Sequence, residues 1–306
     1  SVLPKLTFSQ SDQAITVNGK NFQLEFDKAK GTISLFKFQG TKLIVSGLEP
    51  NFWRAPTDND FGNGMDKRCA VWRYAGDNRA VEKFDIQQPS SSQLQIDFYF
   101  DLQDVESKYK TSYTVLGSGD VLVENHFIPG KKELPELPRF GMKMTLPKSF
   151  DQALWYGRGP HENYWDRNTS ALVGIYRSTV RELFEPYISP QENGYRTDVR
   201  WVAFLNDKGN GLMAVGMPLI CFSALPYTNE DLTQQSRGTM HPTDLKERDF
   251  VFLNLDYKQM GVGGDDSWGA RPHSQYNLPA QEYSYKFRLK PVTKKDALME
   301  LSKENF

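Results

Sequence analysis

"LQIDFYFDL", residues 94–102, puts Leu94, Ile96, Phe98, Phe100 and Leu102 on one side and Gln95, Asp97 and Asp101 on the other. Successive side chains of an extended strand face opposite ways, so one face of this run covers a core and the other meets water or a second layer. The same period of two recurs in "EYSYKFRLK" (Tyr283, Tyr285, Phe287, Leu289), in "NFQLEFD" (Phe22, Leu24, Phe26) and in "VFLNLDY" (Val251, Leu253, Leu255, Tyr257). Asn18-Gly19, between "AITV" and "KNFQLEF", is a hairpin signal because both residues tolerate positive φ. "LGSGD" at 116–120 is a second one. Helical stretches are few. The sequence predicts a short helix over 66–75 and a terminal one over 293–301, with Thr293 capping and Asp296 answering it three residues on. Strands do not alternate with long helices, as a doubly wound sheet or a barrel of strands and helices would require. The fold class is therefore all-β, one large antiparallel β-sandwich with long loops. No repeat or linker-like stretch divides it.

With 306 residues the chain buries a large core. Lys plus Arg is 37 and Asp plus Glu is 38, a net charge of -1, which gives no general attraction to nucleic acid or to an anionic membrane. No apolar run approaches the roughly 18 residues of a membrane span. The amino-terminal stretch lacks the basic start and apolar middle of a signal peptide and has no initiator Met, so a processed chain or a piece of a longer one is expected. Cys69 and Cys221 lie far apart, outside metal-ligand spacing, and read as reduced, buried thiols. They do not choose between cytoplasm and periplasm.

Four stretches are too rich in Gly, Pro, Asn, Asp and aromatic residues to be plain turns: "NFWRAPTDNDFGNG" (51–64), "WYGRGPHENYWDR" (155–167), "PYISPQENGYRTDVRW" (186–201) and "GVGGDDSWGARPHSQYN" (261–277). Long structured loops on a rigid sandwich are where binding groups concentrate. Asp58, Asp60 and Asp66 suggest a calcium loop, but its fifth and twelfth positions are Gly62 and Cys69, neither an oxygen ligand, so turn closure is the expected role. His126, His161, His241 and His273 include no pair spaced for zinc. Glu162 and Glu192 are the candidates for paired glycosidase carboxylates. Each follows a Pro within two positions and precedes an Asn, which fits a loop-bracing role better. No metal site is expected.

Trp268 differs. An indole offers a flat apolar face to the C–H face of a sugar, and the neighbouring Asp265, Asp266 and Ser267 supply groups for its hydroxyls. The glycines around it let the backbone approach a ligand or another domain. The competing role, a plug at the end of the core, weighs equally on the residues alone.

Together, "RAPTDND", "GRGPHENYWDR", "PYISPQENGYRTDVRW" and "GVGGDDSW", in that order, resemble the C-terminal domain of large multidomain β-galactosidases, glycoside hydrolase family two. The resemblance implies a galactose mutarotase-like β-supersandwich over residues 1–290, with 1–14 entering as a linker strand and 291–306 as a helical extension. It implies a retaining enzyme whose catalytic glutamates, magnesium and sodium sit on a barrel outside this chain. This chain would then hold no catalytic residue and no cofactor. Trp268 would reach the barrel's pocket as a platform for β-galactoside, and 103–110 would take the place of a mobile loop at the pocket edge. The other domains of the parent, itself a homo-oligomer, are the implied partners. Two other functions compete: a free-standing aldose mutarotase, using His161 or His273 with a Glu as acid and base, and a carbohydrate-binding module.

Overall fold

The computed structural model describes residues 3–130 and 133–304. A five-stranded sheet is built in sequence order from β1 (Thr7–Gln10), β2 (Ala14–Asn18), β3 (Phe22–Asp27), β4 (Thr32–Phe38) and β5 (Thr41–Lys42). β6 (Ser46–Asn51) crosses to a twelve-stranded sheet. That sheet continues with β7 (Ala80–Ser90), β8 (Gln93–Leu102), β9 (Ser107–Leu116), β10 (Val121–Ile128), β11 (Arg139–Pro147) and β12 (Gln152–Gly159). It is completed by β13 (Leu172–Thr179), β14 (Arg196–Leu205), β15 (Gly211–Leu225), β16 (Phe250–Gln259) and β17 (Tyr283–Val292). Its main path runs β13-β12-β14-β15-β17-β10-β9-β8-β7, with antiparallel pairing throughout. The long β15 divides its partners: Gly211–Gly216 pairs with β17, and Cys221–Leu225 pairs with β16. From β16 a branch passes through β11 to β6. The result is an all-β fold of curled antiparallel sheets, as the period-two runs predict.

The alternating runs form the core. Phe22, Leu24 and Phe26 are buried on β3, and Leu94, Ile96, Phe98, Phe100 and Leu102 on β8. The two sheets meet through them: the Phe26 ring lies 6.4 Å from Phe98 and 5.1 Å from Tyr113. Deeper in, Phe52 touches Trp72, Tyr109, Phe127 and Phe140 at 5.6–6.4 Å. On β16 the alternation persists, but Asn254 and Asp256 on its polar side are buried as well. A second layer of hydrogen-bonding side chains covers that face.

Local details depart from the sequence-based expectations. The 116–120 turn closes as predicted, with Gly119 at φ +93 and its N–H on the Leu116 carbonyl. The first hairpin turns on Lys20-Asn21 rather than Asn18-Gly19: Gly19 N–H donates to the Phe22 carbonyl, and a Cβ on Gly19 would meet the Phe22 ring at 2.0 Å. The helix expected over 66–75 starts earlier, as α1 (Asp58–Asn63) and α2 (Met65–Arg68), and ends in a single 3₁₀ turn at Ala70–Trp72. At the carboxyl end, Thr293 and Asp296 do bond each other, but they close an isolated turn, and α3 begins only at Leu298 (Leu298–Ser302). Leu298, Met299 and Leu301 pack on Trp201 at the outer face of the large sheet. Residues 7–10, inside the expected linker strand, pair with β2. Of the 103–110 stretch, residues 103–106 form a four-residue turn between β8 and β9, and the rest lies in β9. In the turn Val105 is buried, and its carbonyl accepts the Ser107 hydroxyl at 2.8 Å.

Phe98→Ala should cost about 3–5 kcal/mol, because it opens a cavity among packed rings. Leu172→Ala, on an exposed side chain of the edge strand β13, should stay within about 0.5 kcal/mol. Urea unfolding of the two variants checks the contrast.

Candidate functional site

Three of the Gly- and Asn-rich stretches converge on the base of the fourth. Arg54, fully buried, directs Nε and Nη2 at the Asp60 carboxylate (3.0 and 2.7 Å). Its remaining N–H groups reach the Met260 carbonyl at 2.6 Å and the Gly261 carbonyl at 3.0 Å. Desolvation alone would lower the Arg54 pKa, but Asp60 outweighs it and holds the guanidinium charged. Asp60 is also the third residue of α1 and forms a reciprocal capping box with Thr57, so one carboxylate caps the helix and pairs with the arginine. This is how a stretch as rich in turn residues as Asp58–Asn63 becomes helical. Asn59 adds a bond from Nδ2 to the Val262 carbonyl at 3.2 Å. From the opposite side, Asp166 of "YWDR" accepts the N–H groups of Val262 (2.9 Å) and Gly263 (2.8 Å).

Behind this base lies a buried polar cluster that local sequence patterns did not reveal. Arg139 Nε donates to Asp256 at 2.7 Å, and its Nη2 reaches both Glu192 oxygens at 3.4 Å. Glu192 also accepts from Gln259 (3.0 Å) and the Tyr164 hydroxyl (3.4 Å), and the Tyr195 hydroxyl donates to Asp256 at 2.9 Å. Tyr164 and Tyr195 stack at 5.3 Å. Gln259 Oε1, at 3.5 Å from Arg54, links this cluster to the loop base. Three buried carboxylates (Asp60, Glu192, Asp256) thus share two buried guanidiniums. Burial pushes Asp256 up to about 7, against the opposing pull of Arg139 and Tyr195.

Glu162 accepts the Gly194 N–H at 2.7 Å and the Tyr187 hydroxyl, and lies 3.5 Å from Arg167. Glu162 and Glu192, the carboxylates weighed as a glycosidase pair, are both occupied in joining the 155–167 and 186–201 loops to their surroundings. Of the histidines weighed for a mutarotase, His161 faces the Ser170 hydroxyl at 3.0 Å and His273 faces Asp265 at 2.7 Å, both exposed. His126, on β10, meets Glu282 at 2.5 Å at the surface. Cys69 and Cys221 are free and buried, and burial pushes both thiols up to about 12, which leaves them poor nucleophiles. Among the described residues no three His, Cys, Asp or Glu side chains converge as metal ligands. Among the described residues no helix is long and apolar enough to cross a membrane.

Above the anchored base, the loop rises to its tip. Asp266 accepts the N–H groups of Trp268 (2.8 Å) and Ala270 (3.3 Å), turning the backbone under the indole. Asp265 and Ser267, which flank Asp266 in the sequence, are exposed. Trp268 is 91% exposed, while Trp53, Trp72, Trp155 and Trp201 are each 3% exposed or less. The ring stands clear of the core, at the end of a loop whose base is fixed by buried charges.

A family model described as β-galactosidase small chain matches residues 18–289. The chain belongs to the β-galactosidase small-chain family. It is 41% identical over 290 residues to a β-galactosidase of Priestia megaterium, covering 94% of this chain and 28% of that protein. It is 35% identical over 276 residues to one from Halalkalibacterium halodurans, covering 89% and 27%. The small-chain domain therefore spans little more than a quarter of the length of these relatives. In fold it is similar to a galactose mutarotase related enzyme of Lactobacillus acidophilus (TM-score 0.51, 9% identity, 92% of this chain and 97% of that one). A galactose 1-epimerase from the same species matches at TM-score 0.50 and 9% identity, over 95% and 99%.

A carboxyl group held up at about 7 favours the folded state while protonated. That contribution is complete below the unfolded value near 4 and is lost as pH rises through about 7. Asp256→Asn should therefore shrink the fall in thermal midpoint between about pH 5 and about pH 8. Melting curves of the two proteins at both pH values check this, and an unchanged fall contradicts it.

Proposed function

We propose that this chain is the accessory sandwich of a retaining β-galactosidase of glycoside hydrolase family two, and that it completes a pocket whose reacting carboxylates belong to other polypeptide. The reading rests on one observation: Trp268 stands in solvent on a loop with an immobilised base, while four of the other five tryptophans are sealed in the interior. Exposing an indole leaves a large apolar area in water, a cost removed when a sugar face or an adjoining domain covers it. The family membership supports a terminal β-galactoside as the substrate class. The small-chain domain spans 28% of the Priestia megaterium relative, which leaves ample room there for a catalytic domain.

In this reading the division of labour follows from what each group is already doing. Glu162 and Glu192 are bound to arginines, tyrosines and a backbone N–H group, partners that support a loop-bracing role over that of proton donor or nucleophile. The sandwich contributes position and exclusion of water. Trp268 offers its face to the galactoside or leaving group, and Asp265, Asp266 and Ser267 line the rim beside it, Asp266 with one oxygen already committed to the backbone. Any magnesium or sodium would be held by the catalytic domain.

In the complete enzyme, Trp268→Ala should raise KM for a β-galactoside by roughly two- to twelvefold, the equivalent of about 0.5–1.5 kcal/mol for one aromatic contact. Steady-state kinetics checks it; an unchanged KM contradicts the platform role. The purified chain alone should not hydrolyse a nitrophenyl galactoside. Hydrolysis that disappears in Glu162→Gln or Glu192→Gln would place the chemistry here instead.

A further inference from the structure

The tip of the Trp268 loop is tied mainly to itself, through Asp266 and through the Asp265–His273 pair. What fixes its direction lies lower, where the chain leaves β16. One clamp, from Arg54, holds carbonyl groups at Met260 and Gly261. The other comes from a separate turn. Arg167 N–H donates to the Tyr164 carbonyl at 2.8 Å, and Tyr164 N–H returns to the Arg167 carbonyl at 3.3 Å, leaving Trp165 and Asp166 at the end of a tight reversal. Tyr164 is buried against Tyr195, so the reversal stands on a rigid footing.

Both residues at its end reach the loop. Trp165 meets the Tyr276 ring edge-on at 5.4 Å, and the Tyr276 carbonyl accepts the Gly261 N–H at 2.8 Å. Asp166 Oδ2 accepts two consecutive N–H groups, those of Val262 and Gly263. A carboxylate bonded to two amides is held more strongly than a neutral acceptor would be. The glycines here are shaped to that carboxylate: a Cβ on Gly261 would lie 2.6 Å from Asp166 Oδ2, and one on Gly263 would lie 3.2 Å from it. The space that a side chain at these two positions would need is taken by Asp166.

We infer that Asp166 is a positioning residue for Trp268, its carboxylate fixing the entry of the loop and so the place where the indole stands. This rests on the platform reading, because it acts on substrate only through the ring. Asp166 touches no reacting atom. Its effect belongs in KM and in binding at the rim, and it should be felt only while an indole is present at 268.

The test is a double-mutant cycle in the complete enzyme, with hydrogen–deuterium exchange of the peptide covering residues 261–268 as a second readout. Asp166→Ala should raise KM by no more than Trp268→Ala does, with little change in kcat. Asp166→Asn, which keeps an acceptor oxygen, should recover part of the loss. In the Trp268→Ala background, Asp166→Ala should add nothing to KM. Exchange in the 261–268 peptide should be faster in Asp166→Ala, because the two protected amides lose their acceptor. An equal rise in KM with and without the indole would overturn the proposal, since the residue would then act elsewhere. So would unchanged exchange, or an unchanged KM in an Asp166→Ala enzyme of normal thermal midpoint when Trp268→Ala does raise KM. If Trp268→Ala leaves KM unchanged while exchange speeds up in Asp166→Ala, the platform reading falls, and with it the link to substrate.

Discussion

Arg54 directs all five of its N–H donors to protein acceptors: two to Asp60, one to Gly261, one to Met260 and, at the outer limit, one to Gln259. Buried as it is, the guanidinium is stable only because every donor has a partner, and removing one partner leaves a charge that the interior cannot solvate. The consequence is geometric. A planar fork with fixed donor directions forces α1, the end of β16 and the start of the Trp268 loop into one arrangement. Asp60 carries the constraint further by capping α1 with the same carboxylate. The loop that exposes an indole to solvent is thus built on one of the least compliant parts of the molecule.

A mobile loop could expose a tryptophan merely because nothing holds it. Here the backbone just below the tip is bonded from two sides, by Arg54 and Asn59 from one and by Asp166 from the other. Preorganised placement of a flat apolar surface lowers the entropy lost when a ligand settles on it. Arg54, Asp60, Arg139, Glu192 and Asp256 are engaged in holding loops. On the proposed function, the contribution of this chain to the chemistry is the position of a ring.

Much of this was legible in the residues. Period-two runs such as 94–102 gave strands and burial directly, because a strand in a sandwich must separate its faces. The exposure of Trp268 was not decided by the residues alone: an indole among glycines serves equally well as a plug. The helix at Asp58–Asn63 was missed because Asp, Asn and Gly favour turns locally, and the force that makes it helical, the buried Arg54–Asp60 pair, joins a residue outside the helix to one within it. The cluster of Arg139, Glu192 and Asp256 left no local trace. Its members come from β11, a loop and β16, 53 to 117 positions apart, and only the fold brings them together. The glycines around Trp268 were read as letting the backbone approach a ligand or another domain; at 261 and 263 a carboxylate from nearly a hundred residues away makes that close approach.

What covers the exposed indole in the complete protein decides the role of the loop. A structure of the complete protein, the proposed β-galactosidase, with a bound galactoside measures it directly. The account predicts the Trp268 ring in van der Waals contact with the ligand, and the carboxyl groups flanking the scissile bond supplied from outside this chain. A Trp268 ring remote from the ligand, or a scissile bond flanked by Glu162 and Glu192, would contradict it.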